Sequence, residues 1–503
     1  MIVNLLDYLE NSAIKFKNKI AVEDINNKLS FYQLKVKAQK ISNLIINLFG
    51  IKFQNQPIVI FLPKSVDALT SFFGTLYSGN FYVPVDINMP EKRISTILKT
   101  LKSKCIITNS LYRKKIKKSG YKGKLILIDK NIGKKNNVKV KKILEKKVDL
   151  DPVYAIPTSG TTGDPKIVLI SHRSVIDYIE WAKKCYRINY KEIIGNQAPF
   201  YFDNSTLDIY LMISTGCKLV IIPEEKFIFP TELINFLNLK KINFAFWVPS
   251  VLVSVANFDV LKNIKLKYLK KLLFAGEVMP NKHLNYWRKK YPKILYSNLY
   301  GPTEITVDCT YYNVLRNFKN NESLPIGFPC RNSEILILNK NKKPCKINEL
   351  GELCVRGSSL ALGYYNNEEK TKKSFIQNPL NKFFEDKIYQ TGDIVYLNKR
   401  GEIIFVGRKD DQIKHLGYRI ELSEIENAAL KIKEIKNASV LYDYKKKQIN
   451  IFYVGIINKN KLYLKLSSQL PKYMIPKKFN ELEKLPLSSN GKIDKKKLLN
   501  KIK

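Results

Sequence analysis

The sequence predicts an α/β protein: a large N-terminal domain of several subdomains, with parallel-rich sheets covered by helices, and a small α+β C-terminal lid domain. Three observations predict it. Short, near-continuous apolar runs alternate with longer helical patterns through the first four hundred residues, as expected of strands buried on both faces. The chain has 503 residues, too many for one ordinary core. Near residue 409 the texture changes to a charged break, a helix and two strands.

In order, 57–62 (PIVIFL) reads as a strand, 65–78 as a helix and 81–86 (FYVPVD) as the next strand. Further strands are expected at 125–129, 153–157, 219–223, 244–249, 272–275 and 294–300. The segment 401–407 reads as hairpin-like and 408–411 as a charged break. A helix over 421–432 and strands over 438–444 and 448–456, joined by a Lys-rich turn, follow. The expected domains are 1–408 and 409–503, with a hinge near Asp410.

Apolar residues make up 45% of the chain and aromatics 11%, which excludes a disordered protein. No run of 18 apolar residues predicts a membrane span. The first residues, with Asp7 and Glu10 interrupting the apolar stretch, do not read as a signal peptide. Seven scattered cysteines without C-x-x-C pairs read as reduced thiols, and a cytoplasmic protein is expected. The net charge of +43 resembles a nucleic-acid footprint. However, Lys outnumbers Arg by 76 to 11, whereas base reading and phosphate forks favour arginine. Compositional bias explains the charge better, and no nucleic-acid partner is expected. A basic surface would still attract an acidic protein.

Three segments carry chemistry. Thr158-Ser159-Gly160-Thr161-Thr162-Gly163-Asp164-Pro165-Lys166 follows a predicted strand. Two glycines and four hydroxyl residues can wrap an anion with N–H and O–H donors, and Lys166 adds charge. This is not the G-x-x-x-x-G-K-[ST] loop. Asn298-Leu299-Tyr300-Gly301-Pro302-Thr303-Glu304 ends another predicted strand, where ligands sit in parallel sheets. Tyr300 could stack on a base and Glu304 could hold Mg²⁺, although Glu304 alone reads equally as a turn acid. Tyr389-Gln390-Thr391-Gly392-Asp393 offers a carboxylate to ribose hydroxyls. Gly407 to Asp410 and Gly417 to Glu421 flank the expected boundary as hinge or as plain polar loop. Lys492, in Asn490-Gly491-Lys492-Ile493-Asp494, could reach an anionic site from a mobile unit.

Together these segments resemble the adenylate-forming (AMP-dependent synthetase/ligase) superfamily, specifically amino-acid adenylation domains and D-alanine–carrier-protein ligases. Residues 29–34 (LSFYQL), 79–86 (GNFYVPVD), 351–353 (GEL), 363–365 (GYY) and 470–476 (LPKYMIP) extend the resemblance over nearly the whole chain. It implies two half-reactions. A carboxylate and Mg-ATP give an acyl-adenylate and pyrophosphate; a phosphopantetheine thiol then displaces AMP. It implies that Thr158 to Lys166 hold the β- and γ-phosphates and that Gly276, Glu277, Asn298 and Tyr300 line the adenine pocket. Gly301 belongs to the same ATP site, Thr303 meets the α-phosphate and Glu304 holds the Mg²⁺. Asp393 and Arg408 hold the ribose, Lys492 bridges the substrate carboxylate and the α-phosphate, Asp410 is the pivot, and Gly417 faces the pantetheine path.

Phe202-Asp203-Asn204-Ser205 bears on the acid. In amino-acid-activating relatives the matching aspartate binds the α-ammonium, which suits a charge-assisted pair. Asp203 therefore points to an α-amino acid, the alternative being a turn carboxylate. The matching pocket walls are Asn204, Leu207, Phe246, Leu273, Ala275, Leu299, Val307 and Asp308. D-alanine ligases carry a cysteine where Ala275 stands. Leu273, Leu299 and Asp308 resemble serine-activating domains, whereas Ala275, Asn204 and Leu207 depart from them. The expected substrate is a small amino acid, serine or alanine of either hand. No G-x-D-S-L carrier segment follows Lys492, so loading of a separate acidic acyl or peptidyl carrier protein is expected. A monomer is the expectation that the resemblance implies. An acyl-CoA ligase using free CoA is the alternative, which Asp203 disfavours.

Overall fold

A computed structural model describes residues 2–130, 137–160, 165–486 and 493–500. Among these residues a seven-stranded sheet runs in the order Gly363–Tyr364, Lys166–Ser171, Pro152–Thr158, Phe81–Pro84, Pro57–Ile60, Cys105–Thr108 and Lys124–Leu127. Its last five strands are parallel. The three strands Phe81–Pro84, Pro57–Ile60 and Cys105–Thr108 are buried at every position, which is why they read as unbroken apolar runs.

A nine-stranded sheet has six parallel strands at its centre: Leu295–Tyr300, Lys271–Phe274, Phe244–Trp247, Ile193–Asn196, Lys218–Ile221 and Ile20–Glu23. The helix Ser205–Thr215 lies between the two sheets. It packs on Ile193–Asn196 and Lys218–Ile221, while Tyr210 hydrogen-bonds Tyr82 at 2.9 Å and Thr206 donates to Tyr154 at 3.2 Å. A helix walled on all sides is largely apolar: Leu207, Ile209, Leu211, Met212 and Ile213 are fully buried, and the buried Asp208 accepts from Asn196 at 2.9 Å. Each apolar side chain contributes about 1.5–3 kcal/mol by leaving water.

A five-stranded antiparallel sheet joins Ser333–Leu338, Gly351–Gly357, Lys387–Leu397 and Phe375–Gln377, with Ile403–Arg408 also paired to Lys387–Leu397. Beyond Arg408 come the hairpin Gln412–His415/Tyr418–Glu421, the helix Leu422–Leu430 and a three-stranded sheet of Ile435–Asp443, Gln448–Gly455 and Lys478–Glu481. This C-terminal portion has its own core, including Ile420, Ile425, Val440, Ile451, Tyr453, Leu462 and Met474. The α/β class read from the sequence is the observed one. The expected break at 408–411 leads directly into the hairpin, which the sequence reading did not anticipate.

No helix among the described residues is long and apolar enough to cross a membrane. All seven cysteines are unpaired.

Candidate active site

The C-terminal ends of the parallel strands meet the C-terminal hairpin around one cavity. Its walls include Thr158, Ser159, Asp203, Asn204, Ala275, Gly276, Gly301, Thr303, Asp308, Asp393 and Arg408. These residues, all expected from the sequence, thus share one space, though they come from distant segments. The cavity holds about 140 Å³, below the roughly 300–1,000 Å³ of most small-molecule sites. Gln412, Lys414, Leu416, Gly417, Tyr418 and Arg419 of the hairpin line the same cavity.

The turn after Leu295–Tyr300 is tightly specified. A Cβ on Gly301 would lie 2.3 Å from the Val307 carbonyl oxygen, so only glycine fits. Thr306 and Val307 have φ of 59° and 75°, a region that β-branched residues rarely enter. Such strain persists where packing dictates it, commonly at sites. Here it accompanies the turn that brings Thr303 and Asp308 to the cavity, with Glu304 buried beside them.

Glu304 is completely buried. It accepts from Tyr364 Oη at 2.8 Å and from Arg419 Nη1 at 2.7 Å. Burial works to raise its pKa, but Arg419 and Lys166 more than offset that and hold it below the usual glutamate value. An uncompensated buried charge would be costly, so this carboxylate needs a cation. One carboxylate beside an anion loop fits Mg²⁺, which keeps phosphate and water oxygens as its other ligands.

The loop after Pro152–Thr158 is engaged by the same C-terminal portion. Ser159 Oγ donates to the Arg419 carbonyl at 2.9 Å, and Gly160 N donates to Glu424 Oε2 at 3.2 Å. Lys166 Nζ lies 3.8 Å from Glu421. Glu424 is also paired with Arg93, both almost fully buried. Thus a carboxylate occupies an N–H of the anion loop and another approaches its lysine. The fit supports a phosphate group there, since the loop binds negative charge already. Thr161, Thr162 and Gly163, expected in this loop, lie outside the described residues, as does Lys492.

Asp393 accepts from Arg408 Nη1 at 2.7 Å and from the Tyr300 hydroxyl. Burial and Asp393 push the Tyr300 phenol well above its ordinary pKa. Arg408 also grips Asp410 through two nitrogens at 2.6 and 2.7 Å. Gly392, at φ 78°, leaves room for the guanidinium, since a Cβ would meet Arg408 Nη2 at 2.7 Å. Asn298 donates to the Pro325 carbonyl at 2.8 Å and does not face the cavity. Glu277 accepts from Gly417 N at 2.8 Å and from Ser250 N at 3.1 Å. Gly417, at φ 82°, lies so close to Val248 that a Cβ would stand 2.8 Å from its Cγ1.

Two further carboxylates line the cavity. Burial raises Asp203, opposed by a Thr303 hydrogen bond and by Lys414. Burial pushes Asp308 up to about 7, opposed by Tyr178, with Asp203 adding to the rise. Tyr178, on the helix His172–Cys185, donates to Asp308 at 2.6 Å. Leu207, Phe246, Leu273, Leu299 and Val307 are buried behind the wall and do not reach the open space. Cys309 and Cys330 are buried beside them; burial and neighbouring carboxylates push both thiols well above the usual value.

Sequence reasoning gave no site role to Lys414, Arg419, Glu421, Glu424 and Tyr178, although Arg419 and Glu421 stood in the segment read as hinge or polar loop. The signal for the first two was the hairpin itself: Lys414 and Arg419 are direct cross-strand partners. Like charges in that position are destabilising, so the pair makes sense only against an acidic surface.

A family model described as AMP-binding enzyme matches residues 9–365. The chain is 30% identical over 501 residues to zwittermicin A synthase ZmaJ of Bacillus cereus, covering 97% of this chain and 93% of that protein. It is 28% identical over 520 residues to the D-alanine–D-alanyl carrier protein ligase of Bacillus cytotoxicus, covering 99% and 100%. Among solved structures, the Vibrio cholerae adenylation domain AlmE in complex with glycyl-adenosine-5'-phosphate superposes with a TM-score of 0.85. That likeness covers 100% of this chain and 98% of that one at 20% identity.

Proposed function

Since the chain belongs to the AMP-binding enzyme family, we propose that it activates a small α-amino acid, serine or alanine of either hand, as an aminoacyl-adenylate. It then transfers the aminoacyl group to the phosphopantetheine thiol of a separate acidic carrier protein. The observation that carries this reading is the shared cavity of Asp203, Thr303, Asp308, Asp393 and Arg408. In this reading Asp203 is the carboxylate for an α-ammonium and Asp393 the one for a ribose, and the Thr303 hydroxyl lines the same cavity. The naming of the Bacillus cytotoxicus relative as a carrier protein ligase supports the transfer step.

In this reading Thr158 to Lys166 receive the phosphates of ATP. Bound Mg²⁺, held by Glu304, would neutralise charge on the phosphoryl oxygens. Asp203 anchors the substrate ammonium and so aims its carboxylate at Thr303. Arg408 keeps Asp393 oriented toward the ribose. Residues 409–503 act as a lid turning about Asp410, with Lys492 supplying positive charge for adenylation. The chain works in the cytoplasm as a monomer. Asp203 disfavours the acyl-CoA ligase alternative, whose substrates carry no ammonium.

ATP–pyrophosphate exchange across the twenty L-amino acids and several D-amino acids tests the proposal. Exchange is expected with serine or alanine. Exchange with fatty or benzoic acids alone would defeat it.

A further inference from the structure

We propose that Tyr178 is a positioning residue for substrate choice: by holding one carboxyl oxygen of Asp308 it aims the other at a side-chain hydroxyl, so that serine is activated in preference to alanine. The inference rests on the function proposed above and narrows its substrate.

Asp308 lines the cavity, whereas Tyr178 stands behind it on the helix His172–Cys185. The tyrosine hydroxyl donates to Asp308 Oδ2 at 2.6 Å, across 130 positions of chain. Among the described residues Asp308 Oδ1 makes no hydrogen bond, and the carboxyl forms no ion pair. One oxygen is therefore committed and the other is available to a ligand. A buried polar atom with an unmade hydrogen bond is costly, and a hydroxyl brought by the substrate would satisfy it.

Both ends of Asp308 are fixed. Its Cα belongs to the turn after Leu295–Tyr300, where a Cβ on Gly301 would stand 2.7 Å from it. Its own N–H donates to the Thr306 carbonyl at 3.1 Å. Its carboxyl is held by Tyr178, which is buried and whose ring stacks on Trp181 at 5.7 Å. Two elements distant in sequence thus keep one carboxyl still, as recognition of a small side chain requires.

Charge decides what faces that carboxyl. Asp203 acts on Asp308, and Lys414 acts on both. Two carboxylates and one ammonium leave a single negative charge, which the substrate's α-ammonium at Asp203 balances. A second ammonium in the side chain would leave uncompensated positive charge in a buried space; a neutral hydroxyl does not. An alanine methyl would leave Asp308 Oδ1 without a partner, and a site built to bond a substrate hydroxyl rejects the analogue lacking it.

The test uses the full chain as wild type, Tyr178→Phe, Asp308→Ala and the double variant. ATP–pyrophosphate exchange gives kcat and KM for serine and alanine of both hands and for 2,3-diaminopropionate. Wild type is expected to prefer serine. The ratio of kcat/KM for serine to that for alanine is expected to fall about 10-fold in Tyr178→Phe, the scale of one hydrogen bond, chiefly through the KM for serine. In the Asp308→Ala background, Tyr178→Phe is expected to change the ratio no further, because its effect runs through Asp308. An unchanged ratio in Tyr178→Phe overturns the proposal. So do an equal loss with both amino acids, an additional loss in the double variant, and a wild type that prefers alanine or the diamino acid. If Tyr178→Phe melts early, Asp308→Ala carries the same comparison, and an unchanged ratio there overturns the proposal too. Wild-type protein with no exchange for any amino acid would instead overturn the function on which it rests.

Discussion

Arg419 of the C-terminal hairpin and Glu304 of the N-terminal portion form an ion pair at 2.7 Å, with the carboxylate wholly buried. The pair joins two separately cored parts of the chain at the proposed metal ligand. Where Mg²⁺ would neutralise Glu304, a guanidinium does so in this arrangement. The two cations are alternatives for one carboxylate.

Arg419→Ala should therefore loosen the hairpin while sparing the rest. Removing one partner of a buried pair costs about 3–5 kcal/mol. Hydrogen exchange in 412–421 is expected to accelerate strongly in the ligand-free protein, with the strands of the nine-stranded sheet unchanged. Equal protection in variant and wild type would show that the pair does not hold the hairpin down.

Asp308 gives a pH signature. Its carboxyl is pushed up to about 7 by burial, against about 3.9 when unfolded. Between those values the native state binds more protons than the unfolded one, so stability falls as pH rises from about 4 to 7 and is level above. Asp308→Asn removes that loss and retains an acceptor for Tyr178. Its melting temperature should exceed wild type by a few degrees at pH 8 and match it near pH 4. The reverse order at pH 8 would show that the carboxylate is stabilised as an anion.

Asp203→Ala should weaken amino-acid use without unfolding the chain. Hydrogen bonds to charged groups contribute about 1.5–3 kcal/mol, so kcat/KM in exchange is expected to fall by about 10- to 100-fold. The KM for ATP should move little. Loss of ATP binding with amino-acid affinity preserved would reassign the carboxylate.

Lys492 lies outside the described residues, and its role follows from the sequence. Lys492→Ala is expected to slow adenylate formation about 10²–10³-fold with folding intact. Near-normal adenylate formation by this variant would remove the lysine from the reaction.

The parallel strands were legible because burial on both faces writes an unbroken apolar word such as FYVP at 81–84. The 298–304 turn was legible because its glycine is required by the backbone, which one sequence can show. The hairpin Gln412–His415/Tyr418–Glu421 was not. Its inward residues include Lys414 and Arg419, whose partners lie more than a hundred positions away, so local alternation reads as a polar loop. Tyr178 was illegible for a similar reason: it sits on an amphipathic helix and looks like core until Asp308 is placed opposite it at 2.6 Å.

Cys309 follows Asp308 directly in the chain, yet its sulfur is sealed behind the cavity wall with its thiol held protonated, and Cys330 shares that condition. An enzyme that stores a mixed anhydride beside its own sulfur risks capturing the product on itself. Because the thiolate, not the thiol, attacks, these two side chains are chemically silent toward such an intermediate. On the function proposed above, the acyl group would be left for a sulfur delivered from outside.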